Sequence, residues 1–172
     1  MSKFVYVTYI RTTPERLWEA LVTPEFTKQY WFGVSQISDW KVGSSWKLMF
    51  DDGRIADAGE VLEIDPPRKL VVSWQNQFRP ELKEEGFARC TYDIASAGDM
   101  VKLTITHEID REGSKFIEAV SGGWPSILSS LKSLLETGKP LTRWPAWPTG
   151  SVAGGSCWGR AASGWPSRRR RR

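Results

Sequence analysis

The one histidine of the 172-residue chain, His107, is the side chain best suited to acid–base chemistry. An imidazole titrates near neutral pH and can act as a general base or as a hydrogen-bond donor. His107 shares one face of a predicted strand with Val101, Leu103 and Ile105, which favours an inward orientation. Glu108 points the other way by alternation and is a poor partner for it. The competing interpretation is a structural histidine that bonds to backbone near the end of the strand.

Aromatic residues supply the second candidate chemistry, because ten tryptophans are many for this length. Pockets for small molecules are usually apolar and aromatic, with few polar groups. Large rings can equally fill a core completely, since each buries much apolar area. The sequence alone does not separate a hollow core from a filled one. The candidate pocket residues are Trp31, Trp46, Trp74, Tyr92, His107, Trp124, Ile127, Leu128 and Leu131.

Other chemistries find little support. Asp51-Asp52 precedes a turn glycine and Glu84-Glu85 lies in a polar stretch, so both pairs of acids are predicted to be solvated loops. Two cysteines and one histidine do not form a zinc cluster. Gly122-Gly123 lacks the spacing of a phosphate-binding loop, and Ser121 and Ser126 have no matched base for a catalytic triad. We therefore expect no metal and no cofactor.

The element that must position these side chains is a C-terminal helix. Apolar residues in Ser114–Thr137 recur at spacings of three and four, which is typical of an amphipathic helix. Gly122-Gly123-Trp124-Pro125 interrupts the pattern with two helix-weakening residues and a proline that removes a backbone hydrogen bond. We therefore expect a short turn at Gly113–Val120 and the main helix from about Trp124 to Thr137. A kink in one long helix is the alternative.

Nearly everything before this helix has the alternation of β-strands. The first strand, Lys3–Arg11, is apolar on both faces and is expected to be well buried. Thr13-Pro14-Glu15 and Thr23-Pro24-Glu25 each join a capping threonine, a first-turn proline and an acid, so they predict two short helices. About six more strands follow, and Asn76–Glu85 is predicted to be a loop between them. The last strand is Met100–Ile109.

The composition changes after Thr142. Seven of the 24 Lys and Arg residues lie from Arg143 onward, where no acid occurs, so residues 1–142 hold 17 basic and 20 acidic residues. This balance gives no reason to expect a nucleic-acid partner for residues 1–142. Residues 143–172 have no apolar period and are predicted to be a disordered tail. The alternative is a tail that binds nucleic acid or an anionic membrane through its Trp and Arg side chains.

The expected location is cytoplasmic. Cys90 and Cys157 are too few for a disulfide framework, so we expect reduced thiols. The first residues show no signal-peptide pattern, and no run reaches the roughly 20 apolar residues of a membrane span.

Several segments resemble one known family in their order and spacing. They are Thr13–Leu21, Thr23–Glu25, Gly59–Leu70, Trp74, Leu103–Glu108, and Gly122–Trp124 followed by Leu128, Leu131 and Leu135. Over residues 3–140 the chain resembles the proteins similar to the activator of the ninety-kilodalton heat-shock chaperone's ATPase. That family belongs to the START/birch-pollen-allergen-like (SRPBCC) superfamily. The resemblance implies an α+β helix-grip fold, in which about seven antiparallel strands wrap the long helix around an internal cavity.

The function implied for the domain at residues 1–142 is binding of a hydrophobic or aromatic small molecule in that cavity, as a monomer or a dimer. Two alternatives stay open. One is a cyclase- or dehydratase-like enzyme that uses His107 as a proton shuttle. The other is a co-chaperone that stimulates the heat-shock chaperone's ATPase through the outer surface of the sheet.

Overall fold

A seven-stranded antiparallel sheet and a long C-terminal helix make up most of the computed structural model, which describes residues 1–141. The strand order is β1-β7-β6-β5-β4-β3-β2, so β1 and β2 are the two edges. This is the α+β helix-grip architecture predicted from the sequence. In chain order the elements are β1 (Ser2–Ile10), α1 (Pro14–Val22), α2 (Pro24–Tyr30), β2 (Ser35–Ser38), β3 (Ser45–Met49), β4 (Ile55–Asp65), β5 (Lys69–Asn76), α3 (Pro80–Lys83), β6 (Ala88–Ala97), β7 (Met100–Ile109) and α4 (Lys115–Thr137).

The inner face of the sheet is the face for which the sequence of β7 predicted an inward orientation. Val101, Leu103, Ile105 and His107 are all at most 1% exposed. Helix α4 packs against β1, β7 and α2 and contributes its own buried stripe to the core. The alternation along β7 therefore identified both the strand, with its bounds, and the face that carries the candidate site.

The prediction that the first strand is well buried is wrong. β1 is an edge strand whose side chains alternate, and Val5, Val7 and Tyr9 are 49%, 43% and 44% exposed on its outer face. Apolar residues on both faces are typical of a central strand, but here only the face of Phe4 and Tyr6 packs against the core.

The expected break before Trp124 is also wrong, because α4 runs without interruption from Lys115 to Thr137. Ser114 caps its N-terminus by accepting a hydrogen bond from a first-turn N–H, and Gly138 ends it with a left-handed φ of 75°. Capping at both ends and burial of one face stabilise the helix enough to accommodate Pro125 in its interior.

The predicted loop at residues 76–85 contains the short helix α3, and Glu85 is not a solvated loop residue. Its carboxylate accepts hydrogen bonds from Ser114 Oγ (2.5 Å), Lys115 N (3.0 Å) and Phe116 N (3.3 Å) at the start of α4. The predicted tail, residues 143–172, lies outside the described residues. Within residues 1–141 no helix is long and apolar enough to cross a membrane.

Candidate binding site

Seven rings between the sheet and α4 pack together in a group called here the aromatic cluster, and Tyr30 of α2 borders it through Trp31. Trp74 on β5 lies at its centre. Its ring centroid is 4.5 Å from that of Trp46, 5.0 Å from His107, 5.8 Å from Trp124 and 6.2 Å from Trp31. Such tilted and edge-on contacts are favourable for aromatic pairs. The members are Trp31, Trp46, Trp74, Tyr92, His107, Phe116 and Trp124.

A glycine on β4 lies between the two central indoles of the cluster. Gly59 pairs with Trp46 of β3, and the residue before it pairs with Gln75 of β5, so Gly59 lies between Trp46 and Trp74. The rings of Trp46 and Trp74 approach each other across β4. A Cβ on Gly59 would lie 1.9 Å from the backbone oxygen of Ser73, so no larger residue fits this backbone.

His107 is completely buried inside the cluster. Trp124 Nε1 donates a hydrogen bond to His107 Nδ1 at 3.3 Å, and His107 Nε2 has no partner. Burial lowers the pKa of His107 to about 3, because the charged imidazolium would lose its hydration. The imidazole is therefore neutral at physiological pH.

An unusual number of buried polar atoms in and beside the cluster lack hydrogen-bond partners. Among the described residues eight such side-chain atoms occur, and six of them belong to this region. The other two are Thr12 Oγ1 and Gln36 Oε1. Folded proteins normally satisfy nearly all buried polar groups. The six atoms are the indole Nε1 of Trp31, Trp46 and Trp74, the hydroxyls of Tyr30 and Tyr92, and His107 Nε2.

A buried carboxyl group lies next to these atoms. Asp57 on β4 is 2% exposed and accepts a hydrogen bond from Asn76 Nδ2 at 2.9 Å. Burial raises its pKa to about 7, although the nearby Trp74 indole and the Asn76 amide oppose the shift. Trp74 Nε1 is close enough to affect the carboxyl group but does not make a well-formed hydrogen bond with it. Burial, together with Cys90, Tyr30 and Asp57 nearby, also raises the pKa of Tyr92.

The free space beside the cluster is small. A crevice between the end of α2 and the middle of α4 holds about 10 Å³, and its lining includes Trp31, Trp124, Gly123 and Ile127. This volume accommodates about one water molecule. The cavity implied by the family resemblance therefore stays a prediction, and a larger ligand requires rings to move. Within residues 1–141 no three His, Cys, Asp or Glu side chains are grouped to hold a metal ion.

The structure brings most of the predicted pocket residues together. Six of the nine belong to the aromatic cluster, Ile127 lines the crevice, and Leu128 and Leu131 are buried along α4. Sequence reasoning missed Phe116 because it placed the main helix too late. It also missed Asp57. This residue lies two positions before Gly59 on β4, so alternation places both on the same face of the strand.

Comparisons with known proteins agree on the fold. Residues 11–136 match the family model described as Activator of Hsp90 ATPase homolog 1-like protein. A solved structure from Mesorhizobium loti is 21% identical with a TM-score of 0.67, and the match covers 78% of this chain and 96% of that one. The Aha1 dimer from Colwellia psychrerythraea is 21% identical with a TM-score of 0.66, covering 81% and 99%. An HSP90 activator from Plasmodium falciparum is 23% identical with a TM-score of 0.62, covering 77% and 95%. No curated protein matches the chain.

Proposed function

The chain belongs to the Activator of Hsp90 ATPase homolog 1-like family, and from that premise we propose that it binds a hydrophobic, aromatic small molecule between the sheet and α4. The observation that carries this proposal is the group of six unpartnered polar atoms in and beside the aromatic cluster. Each such atom costs about 1–3 kcal/mol of desolvation that phenylalanine or leucine would avoid. A bound molecule with polar groups would recover this free energy.

Entry to the site is best explained by movement of Trp31. Its ring lines the crevice and contacts Trp124 at 5.5 Å between ring centroids. Trp31 ends the short helix α2, and the next two residues, Phe32 and Gly33, have φ values of 53° and 90°. A non-glycine residue in this region is strained, so a change in this loop is less costly than one inside the sheet. Rotation of Trp31 outward would leave a space lined by Trp74 and Trp124.

The proposal is tested on the full chain with 6-propionyl-2-(dimethylamino)naphthalene, a neutral dye whose fluorescence shifts to the blue in apolar sites. Trp31→Ala should bind this probe several-fold more tightly, because the ring that fills the crevice is removed. Trp31→Phe serves if the alanine variant does not fold. Phe87→Ala is the control, since Phe87 is 60% exposed and lies in a separate groove on the outer face. Failure of every folded variant to bind, or loss of binding only in Phe87→Ala, would overturn the proposal.

The enzyme alternative has less support in the geometry. A proton shuttle works best with a pKa near the operating pH. Burial moves the pKa of His107 to about 3, and its ring accepts a hydrogen bond from the Trp124 indole N–H. Catalysis by His107 remains a prediction from the sequence.

A co-chaperone role is the second candidate, because the family description and the name of the Plasmodium falciparum protein both refer to activation of Hsp90. A groove of about 540 Å³ on the outer face of β3, β4 and β5 offers a surface for a protein partner. Its lining includes Leu62 and Phe87, which are 39% and 60% exposed. This role also requires the cytoplasmic location expected from the sequence. It predicts that the full chain binds Hsp90 in a pull-down and raises its ATPase rate, and that Leu62→Ala and Phe87→Ala weaken both. Absence of binding and stimulation would exclude it.

A further inference from the structure

The six unpartnered atoms of the interior are all hydrogen-bond donors. An indole nitrogen can only donate, and this accounts for Trp31, Trp46 and Trp74. The hydroxyls of Tyr30 and Tyr92 make no well-formed hydrogen bond, and the weakly accepting Cys90 thiol is the group beside that of Tyr92. The region therefore has a marked excess of donors over acceptors.

His107 Nε2 is also an unpartnered hydrogen-bond donor, and this follows from the hydrogen bond between His107 and Trp124. The indole N–H of Trp124 donates to Nδ1, so Nδ1 must present a lone pair and carry no proton. An imidazole retains at least one proton, which then lies on Nε2. His107 Nε2 is therefore an N–H donor without an acceptor.

Acceptors within the protein do not balance these donors. Asp57 Oδ1 already accepts from Asn76, which leaves Oδ2 as the other oxygen of this group, and Trp74 Nε1 lies near the carboxyl group without a well-formed hydrogen bond to it. The one unpartnered side-chain acceptor atom that cannot donate, Gln36 Oε1, lies on the edge strand β2, where the Gln36 amide donates to Leu21 O of α1. Gln36 pairs with Leu48 of β3, two residues from Trp46, so this region has one such unpartnered acceptor against six unpartnered donors.

We propose that the interior site selects neutral aromatic carbonyl compounds, such as aryl ketones, whose oxygen accepts from the donors of the cluster. This inference rests on the proposed binding function and adds the chemical class of the ligand. A carbonyl oxygen has two lone pairs and no proton, so it complements a site with surplus donors. An amine or a further hydroxyl would add donors that also lack acceptors.

A charged carboxylate fits less well than a ketone. None of the buried residues described is a lysine or arginine, so an anion would have no countercharge inside. The Asp57 carboxyl group beside the cluster would repel it when ionised. The aromatic part of the ligand would occupy the space that Trp31 vacates, next to Trp74 and Trp124.

The test compares two naphthalenes of nearly equal shape with the full chain. 2-Acetylnaphthalene carries a carbonyl group where 2-isopropenylnaphthalene carries a carbon–carbon double bond. The ketone should bind about tenfold more tightly by isothermal titration, because only its oxygen pairs with the buried donors. Equal affinities would overturn this inference and leave the binding function standing. If neither compound binds, the binding function fails as well.

Two further measurements separate donor pairing from simple packing. Tyr92→Phe keeps the ring and removes one unpartnered O–H, so it should reduce the preference for the ketone without lowering the melting temperature. Tyr9→Phe is the control, because Tyr9 is 44% exposed on the outer face of β1. The chain has a single histidine, so ¹⁵N NMR reports its tautomer directly. We expect the proton on Nε2, and a change in the Nε2 chemical shift when the ketone is added. A proton on Nδ1 would contradict the inference. An unchanged preference of Tyr92→Phe for the ketone over the hydrocarbon would contradict it as well.

Discussion

Two buried titratable residues, His107 and Asp57, act on stability in opposite directions as the pH changes. The unfolded chain binds a proton on His107 below its ordinary pKa of 6.5, whereas the folded protein does so only near 3. This difference lowers stability as the pH falls through that interval. Asp57 has a folded pKa of about 7 and an ordinary value of 3.8, so the folded state binds its proton first and gains stability over nearly the same interval.

The two effects should nearly cancel between about pH 4 and pH 6.5, leaving a flat stability profile. His107→Phe should remove the opposing effect of His107 and leave that of Asp57. The free energy of unfolding should then rise as the pH falls, by at most about 1.4 kcal/mol per pH unit. Asp57→Asn should leave only the effect of His107, so that the free energy of unfolding falls as the pH falls. Urea unfolding at several pH values measures both slopes.

The slope is the informative quantity in this experiment, because His107→Phe also removes the acceptor for Trp124 and lowers stability at every pH. Depressed carboxyl pKa values, such as that of Asp65 beside Arg68, reduce stability only at more acidic pH and affect all variants alike. Identical slopes in the parent and both variants would show that neither group is titrated differently on folding.

The start of α4 depends on a residue from another element. Burial alone would raise the pKa of Glu85, but hydrogen bonds from Ser114, Phe116 and Lys115 outweigh it and lower the pKa below its usual value. The carboxylate thereby joins the end of the α3 segment to the first turn of α4 and complements the positive end of the helix dipole.

Glu85→Gln should lower the free energy of unfolding by about 1–2 kcal/mol at neutral pH, because the charge-assisted cap is lost. The difference should shrink as the pH falls, since a depressed pKa contributes stability that disappears once the carboxylate is protonated. Glu84→Gln is the matched control, because Glu84 is exposed. Equal losses in the two variants at neutral pH would exclude a specific cap.

Pro125 is expected to lower the stability of α4. It has no N–H to donate to the carbonyl group of Ser121, one turn earlier, and yet it lies in the helix interior. Pro125→Ala is therefore expected to raise the free energy of unfolding by about 1–3 kcal/mol, measured by urea titration.

Pro14→Ala provides the comparison for this change. Pro14 occupies the first turn of α1, where an N–H has no helical partner in any case. This variant should gain nothing. A destabilised Pro125→Ala would mean that packing of the ring outweighs the missing hydrogen bond.

At the level of the whole molecule, the sequence predicted the architecture well because its signals are local. Two Thr-Pro-Glu segments mark α1 and α2, and alternation marks β7, whatever the tertiary context. The errors lie where tertiary contacts decide. β1 looks central in sequence but lies at an edge, and the weak start of α4 is stabilised by Glu85 from a distant segment.

The site was predicted less completely for the same reason. Aromatic residues are recognisable in the sequence, but which of them touch depends on strand register. Asp57 was not predicted because a carboxylate is normally exposed, and its burial beside Trp74 follows from three-dimensional packing. The absence of acceptors for six donors is likewise a property of the assembled core.

The boundary between the domain and the tail can be tested on the whole chain. All seven strands and α4 lie within residues 1–141, and they contain one buried core. After α4 the chain turns back, and Leu141 N donates to Ser130 Oγ at 3.1 Å. A protein ending at residue 142 keeps these contacts, so its melting temperature should equal that of the full chain.

The sensitivity of this comparison is adequate, because 1 kcal/mol corresponds to about 2–4 °C for a protein of this size. Deletion of residues 143–172 also removes seven arginines and no acid, changing the formal net charge from +4 to −3. The shortened protein should therefore bind an anion exchanger at neutral pH, which verifies the deletion independently of stability. A loss of several degrees in melting temperature would mean that residues beyond 142 pack on the domain, and the boundary would have to move towards the C-terminus.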